Sequence, residues 1–223
     1  MSAKVDPLAG PSPDCGLCPR LVAFRAENRR EEPSWFNGAV PAFGPADAKL
    51  LVVGLAPGLQ GANRTGRPFT GDYAGDLLYP SLIKFGFAKG TYKATPGDIT
   101  LNGCRITNAV RCVPPQNKPT PEEQRTCRSF LIAEIAALSK VRVILALGRI
   151  AHDAVCGTLG IKKFAGASYF PEKMNAIFAS YAYNLKEMAD VPDVAKQLNA
   201  ITASADAAAA SSRFGAWMKK NCA

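Results

Sequence analysis

Apolar positions fall into short runs separated by longer polar stretches. The run 49–55, Lys-Leu-Leu-Val-Val-Gly-Leu, is bounded by turn residues and reads as a buried strand. The run 141–148, Val-Arg-Val-Ile-Leu-Ala-Leu-Gly, reads the same way and leads straight into a helix over 149–158. Two weaker strands are expected at Ile99 to Val110 and at Ala176 to Tyr181. Helical spacing appears over Arg20 to Arg30 and over Asp76 to Phe85, where Leu77, Leu78, Leu82 and Ile83 are apolar. Thr120-Pro121-Glu122-Glu123 is a helix start, with Thr as N-cap, Pro at N1 and Glu at N3. That helix should run to about Leu138. The chain from Val191 to Lys220 is Ala-rich and helical, with a break near Gly215.

Short apolar strands alternating with helices predict an α/β domain whose parallel sheet is covered on both faces. A site then belongs beyond the carboxyl ends of the strands. The loops there are Ala56 to Asp72, Arg111 to Thr120, and the stretch after Tyr181. No internal repeat is visible, so the 223 residues are read as one domain. Residues 1–14 are Pro- and Gly-rich and are expected to be loose.

Composition narrows the class. Hydrophobic residues are 48% and charged residues 20%, which excludes wholesale disorder. No apolar run reaches the roughly 18 residues of a membrane span. The first ten residues lack a basic segment followed by an apolar one, so the expected location is the cytoplasm. The net charge is +9. The first 120 residues carry 14 basic and 9 acidic side chains and the rest carry 13 and 9, so the excess is spread over the body. A spread basic excess suits a polyanionic partner such as nucleic acid, or serves solubility alone.

Seven cysteines without a secretory signal argue against a disulfide framework. Cys15 and Cys18 form a C-x2-C pair, and Cys112 and Cys127 flank fourteen residues. Together they make a four-thiolate site fit for Zn2+ or an iron–sulfur cluster, or they include buried free thiols. Cys104 and Cys156 read as core and Cys222 as a tail thiol.

A glycine-rich loop follows the first strand: Gly54-Leu55-Ala56-Pro57-Gly58, continuing to Asn63-Arg64-Thr65-Gly66-Arg67-Pro68-Phe69-Thr70-Gly71-Asp72. It fits neither phosphate-binding glycine pattern, so it reads as a tight turn presenting amides, then an aromatic ring and a carboxylate. These segments, with the Cys15/Cys18 start, the run 108–123 (Asn-Ala-Val-Arg-Cys-Val-Pro-Pro-Gln-Asn-Lys-Pro-Thr-Pro-Glu-Glu) and 146–151 (Ala-Leu-Gly-Arg-Ile-Ala), resemble the iron–sulfur uracil-DNA glycosylases. The match is best to family 5, with family 4 next, and covers Cys15 to about Tyr181. The resemblance implies a three-layer α/β/α fold with a four-stranded parallel sheet. It also implies a [4Fe-4S] cluster on Cys15, Cys18, Cys112 and Cys127, and a monomer.

The chemistry of such an enzyme sets demands that residues can be checked against. Uracil in a duplex must be flipped into a pocket before its bond to the sugar C1′ can break. Phe69 matches the family's stacking ring. An Asn can donate to uracil O4 and accept from N3–H together, and Asn108 matches the family 4 reader. Family 5 members often carry a small residue there, so Asn108 implies narrower, uracil-centred specificity. A carboxylate near C1′ positions water and offsets the developing positive charge. Asp72 matches that role in family 5, since Ala56 stands where family 4 has an acidic residue. Asn117 matches a residue near the catalytic water. Arg64, Arg67, Arg111 and Lys118 lie in the site loops and are the expected phosphate contacts.

One part of the pattern breaks. The family has Ser-Tyr-His-Pro or a close variant after the last strand, with the His stabilising uracil O2. Here the residues are Ser180-Tyr181-Ala182-Tyr183-Asn184. Tyr183, Asn184 or a backbone amide then replaces the His, the enzyme is slow, or the fold has become a binder. The sole histidine, His152, lies within the helix after Gly148 and reads as structural. The favoured expectation is a monofunctional glycosylase using water and leaving an abasic site, with free uracil as product. The alternatives are a weak or inactive protein that holds uracil or abasic DNA, and a four-cysteine zinc module.

Overall fold

A computed structural model describes residues 6–160 and the backbone of 181–184. Three strands make the parallel core of the sheet: β1 (Leu50–Gly54), β4 (Cys104–Asn108) and β5 (Val143–Ala146). β1 lies in the middle, with Leu50 opposite Cys104 on one side and Val143 on the other. All five residues of β1 are buried, which is why its run carries no polar alternation. Leu50 and Val52 join one core cluster with Leu78, Tyr79 and Leu82, from helix α3 (Tyr73–Lys84). Leu51 and Val53 face the other way, toward Leu131 of α4 (Pro121–Ala137) and Val155 of α5 (Arg149–Leu159). The two clusters are the two faces of a three-layer α/β/α domain.

Helix starts follow the local chemistry. Thr120 Oγ1 accepts from the Glu123 N–H at 3.2 Å, and Glu123 Oε2 accepts from the Thr120 N–H at 2.8 Å. Glu123 also pairs with Arg20 at 2.7 Å, which fastens α4 to α1 (Pro19–Glu31). Burial pushes the Glu123 carboxyl up, but Arg20 and the Thr120 N–H outweigh it and hold it low.

Four expectations are corrected. The stretch from Ile99 to Val110 is two strands, not one. Asn102-Gly103 breaks it, with Gly103 at φ 61°, and β3 (Ile99–Leu101) pairs antiparallel with β2 (Ala88–Gly90) in a side ribbon. An Asn-Gly turn signal stands at the break. The fourth strand, β6 (Tyr181–Asn184), begins where the expected one ends and runs antiparallel to β5; residues 176–180 lie outside the described region. Residues 6–14 are not loose: the Leu8 carbonyl accepts from Arg105 at 2.9 Å, the Pro13 carbonyl accepts from the Ala39 N–H at 3.0 Å, and Asp14 pairs with Arg29. Lastly, Arg111 is not at the surface; it is 1% exposed, inside the domain. The Ala-rich segment from Val191 and Cys222 lie outside the described residues. Among the described residues no helix is long and apolar enough to cross a membrane.

Candidate active site

The sheet brings the ends of β1 and β4 together, with Gly54 in register with Asn108. Gly54 is bare for a reason. A Cβ there would lie 2.4 Å from Asn108 Oδ1 and 2.5 Å from Phe69 Cζ. The amide and the ring therefore meet over the peptide of Gly54. Asn108 is 3% exposed. Among the described residues no hydrogen bond occupies its amide, although a buried amide ordinarily has partners. This is hydrogen-bonding capacity held open beside an aromatic ring.

Phe69 reaches that place through a left-handed backbone, φ 51°. A bulky residue there is an outlier and is strained by roughly 1–3 kcal/mol. Beyond it, Asp72 is the N-cap of α3, its Oδ1 accepting from the Gly75 N–H at 3.0 Å. Its other oxygen, Oδ2, hangs over a second bare stretch: Cβ atoms on Gly61 and Gly58 would come within 2.4 and 3.3 Å of it. Burial raises the Asp72 carboxyl above the usual carboxylate range; the Gly75 N–H opposes this and nearby Asp76 adds to it. The loop between, at its short helix α2 (Ala62–Thr65), is anchored by Asn63, whose Nδ2 donates to Asn37 Oδ1 at 2.8 Å in the interior.

The remaining residues separate. Ala56 packs against the cluster containing Leu21, Val110 and the cysteines, so it lies toward the thiols. Asn117 sits on the exposed turn Pro115–Asn117 with φ 56°, and among the described residues it is not hydrogen-bonded to Asp72, Phe69 or Asn108. Lys118 and Arg64 are exposed and remain available to a phosphate backbone. Arg67 and Arg111 are not. Arg67 is committed to Asp98 at 2.6 Å and Thr70 at 2.7 Å, with its guanidinium over Phe43 and Tyr79. Arg111 is paired with Glu134, which also takes Arg105 at 2.7 Å and the Thr107 hydroxyl at 2.9 Å. In both cases an internal carboxylate captured a loop cation.

In β6 the register places Tyr181 opposite Ala146, at the carboxyl end of β5 where the site lies. Ala182 faces Leu145 and Asn184 faces Val143, at the far end of the strand. His152 is buried in α5, its Nε2 3.6 Å from Cys156 Sγ, and Cys104 and Cys156 are core residues.

Cys15, Cys18, Cys112 and Cys127 line one small cavity with Leu17, Leu21, Val110 and Phe130. Burial raises the Cys18 thiol to about 11 and the Cys112 thiol to about 12. Two donors point at these sulfurs: the Arg111 N–H to Cys127 Sγ at 3.3 Å and Arg25 Nη1 to Cys112 Sγ at 3.7 Å. Among the described residues no three of His, Cys, Asp and Glu form a group that could hold a single metal ion.

Sequence reasoning missed the glycines as space for Asn108 and Asp72, and missed Tyr79 and Tyr92 beneath the loop. The glycine density was the available signal; the tyrosines gave none.

Residues 41–202 match the family model described as the uracil DNA glycosylase superfamily. The chain is 46% identical over 178 residues to a type-5 uracil-DNA glycosylase of Thermus thermophilus, covering 75% of this chain and 81% of that protein. It is 38% identical over 177 residues to a type-5 uracil-DNA glycosylase of Pyrobaculum aerophilum, covering 75% and 77%. A type-4 uracil-DNA glycosylase of Thermotoga maritima is 40% identical over 106 residues, 47% of each chain.

Proposed function

The chain belongs to the uracil DNA glycosylase superfamily, and from that premise we propose how its own residues remove uracil from DNA in repair. The observation that carries the assignment is the open, buried amide of Asn108 against the Phe69 ring. Phe69 stacks on the flipped base and Asn108 reads its edge, donating to O4 and accepting from N3–H. The bond from C1′ to N1 breaks with its electron pair leaving on uracil. Asp72, as carboxylate, offsets the positive charge growing at C1′ and orients the water that adds there. Asn117 assists that water once DNA is bound. The water gives up a proton as it adds, the uracil anion takes one up, and the products are free uracil and an abasic strand. No lysine of the matched motifs falls at a catalytic position, and Lys118 lies on the exposed stretch after the 115–117 turn, which supports water and not a Schiff base as the nucleophile. Arg64 and Lys118 contact phosphates.

The test is a labelled duplex with one uracil, heated in alkali after incubation. Strand cleavage at uracil, and little at thymine or hypoxanthine, is expected. An uncut uracil strand favours the binder instead, a reading that Ala182 supports because it offers no side-chain donor.

The resemblance to iron–sulfur members favours a [4Fe-4S] cluster over zinc on the four cysteines. A zinc ion brings four sulfurs within about 2.3 Å of one point, whereas a cluster spaces them further apart. The thiols here share a cavity without forming a single-ion group. The donors from Arg25 and Arg111 suit thiolates. A bound cluster would pin the N-terminal segment to the 111–127 loop. Purified protein is expected to be brown, with iron and acid-labile sulfide in equal amounts. Cys112→Ser is expected to lose that colour and most of the iron. Colourless protein with zinc would overturn this assignment.

A further inference from the structure

Phe69 needs its left-handed backbone held, and one side chain touches both edges of the strained segment. The Tyr92 hydroxyl, from the loop joining β2 and β3, accepts from the Gly71 N–H at 3.0 Å and donates to the Phe69 carbonyl at 3.4 Å. The Tyr92 ring stacks on Tyr79, centroids 4.7 Å apart and 19° from parallel. Tyr79 in turn donates to the Pro68 carbonyl at 2.7 Å. The Tyr92 loop is itself fixed. Asp98 accepts from the Lys93 N–H at 2.8 Å and the Thr95 N–H at 3.2 Å while pairing with Arg67 at 2.6 Å. Burial pushes Asp98 up, but Arg67 and these amides overcome it and bring it to about 2, so the clasp is closed across the neutral range. Space below is tight: a Cβ on Gly75 would lie 1.9 Å from the Phe69 carbonyl oxygen and 2.6 Å from the Tyr92 hydroxyl.

We propose that Tyr92 is a positioning residue for base recognition, its hydroxyl fixing the Phe69–Gly71 backbone so that the Phe69 ring stands against Asn108. It touches neither base nor sugar. It acts through Phe69, and so it rests on the reading of Phe69 as the stacking ring. The side ribbon is thus part of the site's support.

The experiment is a double-mutant cycle of single-turnover uracil excision with Tyr92→Phe and Phe69→Ala. Misplacing a reacting assembly by about 1 Å costs up to roughly 100-fold, so Tyr92→Phe should lose about ten- to a hundredfold in rate. In the Phe69→Ala background the same change should lose less than about twofold, because the ring it positions is gone. With 2-aminopurine beside the uracil, Tyr92→Phe should flip less base at unchanged duplex affinity. Equal losses in both backgrounds, or a wild-type rate for Tyr92→Phe, overturn the proposal while leaving Phe69 in place. A wild-type rate for Phe69→Ala overturns the stacking assignment and this proposal together. Should Tyr92→Phe fail to fold, Tyr92→His goes through the same cycle with the same criteria.

Discussion

Asp72→Asn should reduce uracil excision by roughly 100- to 10 000-fold while leaving the fold and duplex binding intact. The choice of Asn matters. Asp72 caps α3 through the Gly75 N–H, and Asn caps a helix about as well. The substitution therefore removes the charge and keeps the cap. Ala would confound the two. A change in stability is expected as well. Burial raises the Asp72 pKa in the folded state, so the native protein binds that proton more tightly than the unfolded chain. Below the unfolded pKa the group costs no stability; the cost appears as pH rises through the unfolded pKa and is complete above the folded one. At neutral pH the carboxylate is thus a mild burden on the fold. Asp72→Asn should melt no lower than wild type, and slightly higher. The wild-type rate should fall on the acid side as the raised carboxyl takes its proton, and that limb should vanish in the residual activity of Asp72→Asn. A lowered melting temperature with an unchanged acid limb would contradict the role.

Glu134→Gln should be strongly destabilising while leaving every site residue in place. Glu134 is 1% exposed and is the shared counter-charge of Arg105 and Arg111, both buried. Removing one partner of a buried pair costs roughly 3–5 kcal/mol because a charge is left unanswered. In a domain of this size each kcal/mol lowers the melting temperature by about 2–4 °C, so a fall of roughly 6–20 °C is expected. Calorimetry or thermal circular dichroism reads it. The mechanism also predicts partial recovery by an apolar exchange. Replacing Arg105, Arg111 and Glu134 together by Met, Met and Leu should cost less than Glu134→Gln alone. A Glu134→Gln protein that melts within 2 °C of wild type would remove the network as a structural element. Arg111 also offers its backbone N–H to Cys127, so the same variant should lose iron sooner on warming if a cluster is bound.

These arginines show where residue patterns stop informing. A loop cation written beside Cys112 looks the same whether it meets a phosphate or an internal carboxylate. Only the fold brings Glu134, a helix away, to Arg111; Arg67 is turned inward in the same way by Asp98. The strands β1 and β5 were legible because both their faces are buried, which leaves unbroken apolar runs. Ile99 to Val110 misled because Ile99, Leu101 and Ile106 are all buried, although they belong to two sheets. Asp72, Phe69 and Asn108 were legible through motif resemblance, but their placement was not. That depends on Gly54 and Gly61 leaving room, and on a left-handed Phe69 held from below by Tyr92. Ala182 was legible as a departure; its strand direction was not, since a four-residue stretch pairs equally well in either sense.

This chain hydrolyses the uracil bond and does not merely hold it. The most direct measurement quantifies free uracil released from a single-uracil duplex, beside strand breaks counted before and after alkali. One uracil per abasic site is expected, with breaks only after alkali, and loss of both with Asp72→Asn. A duplex bound tightly with no uracil released would contradict it and place the protein among binders of the same fold.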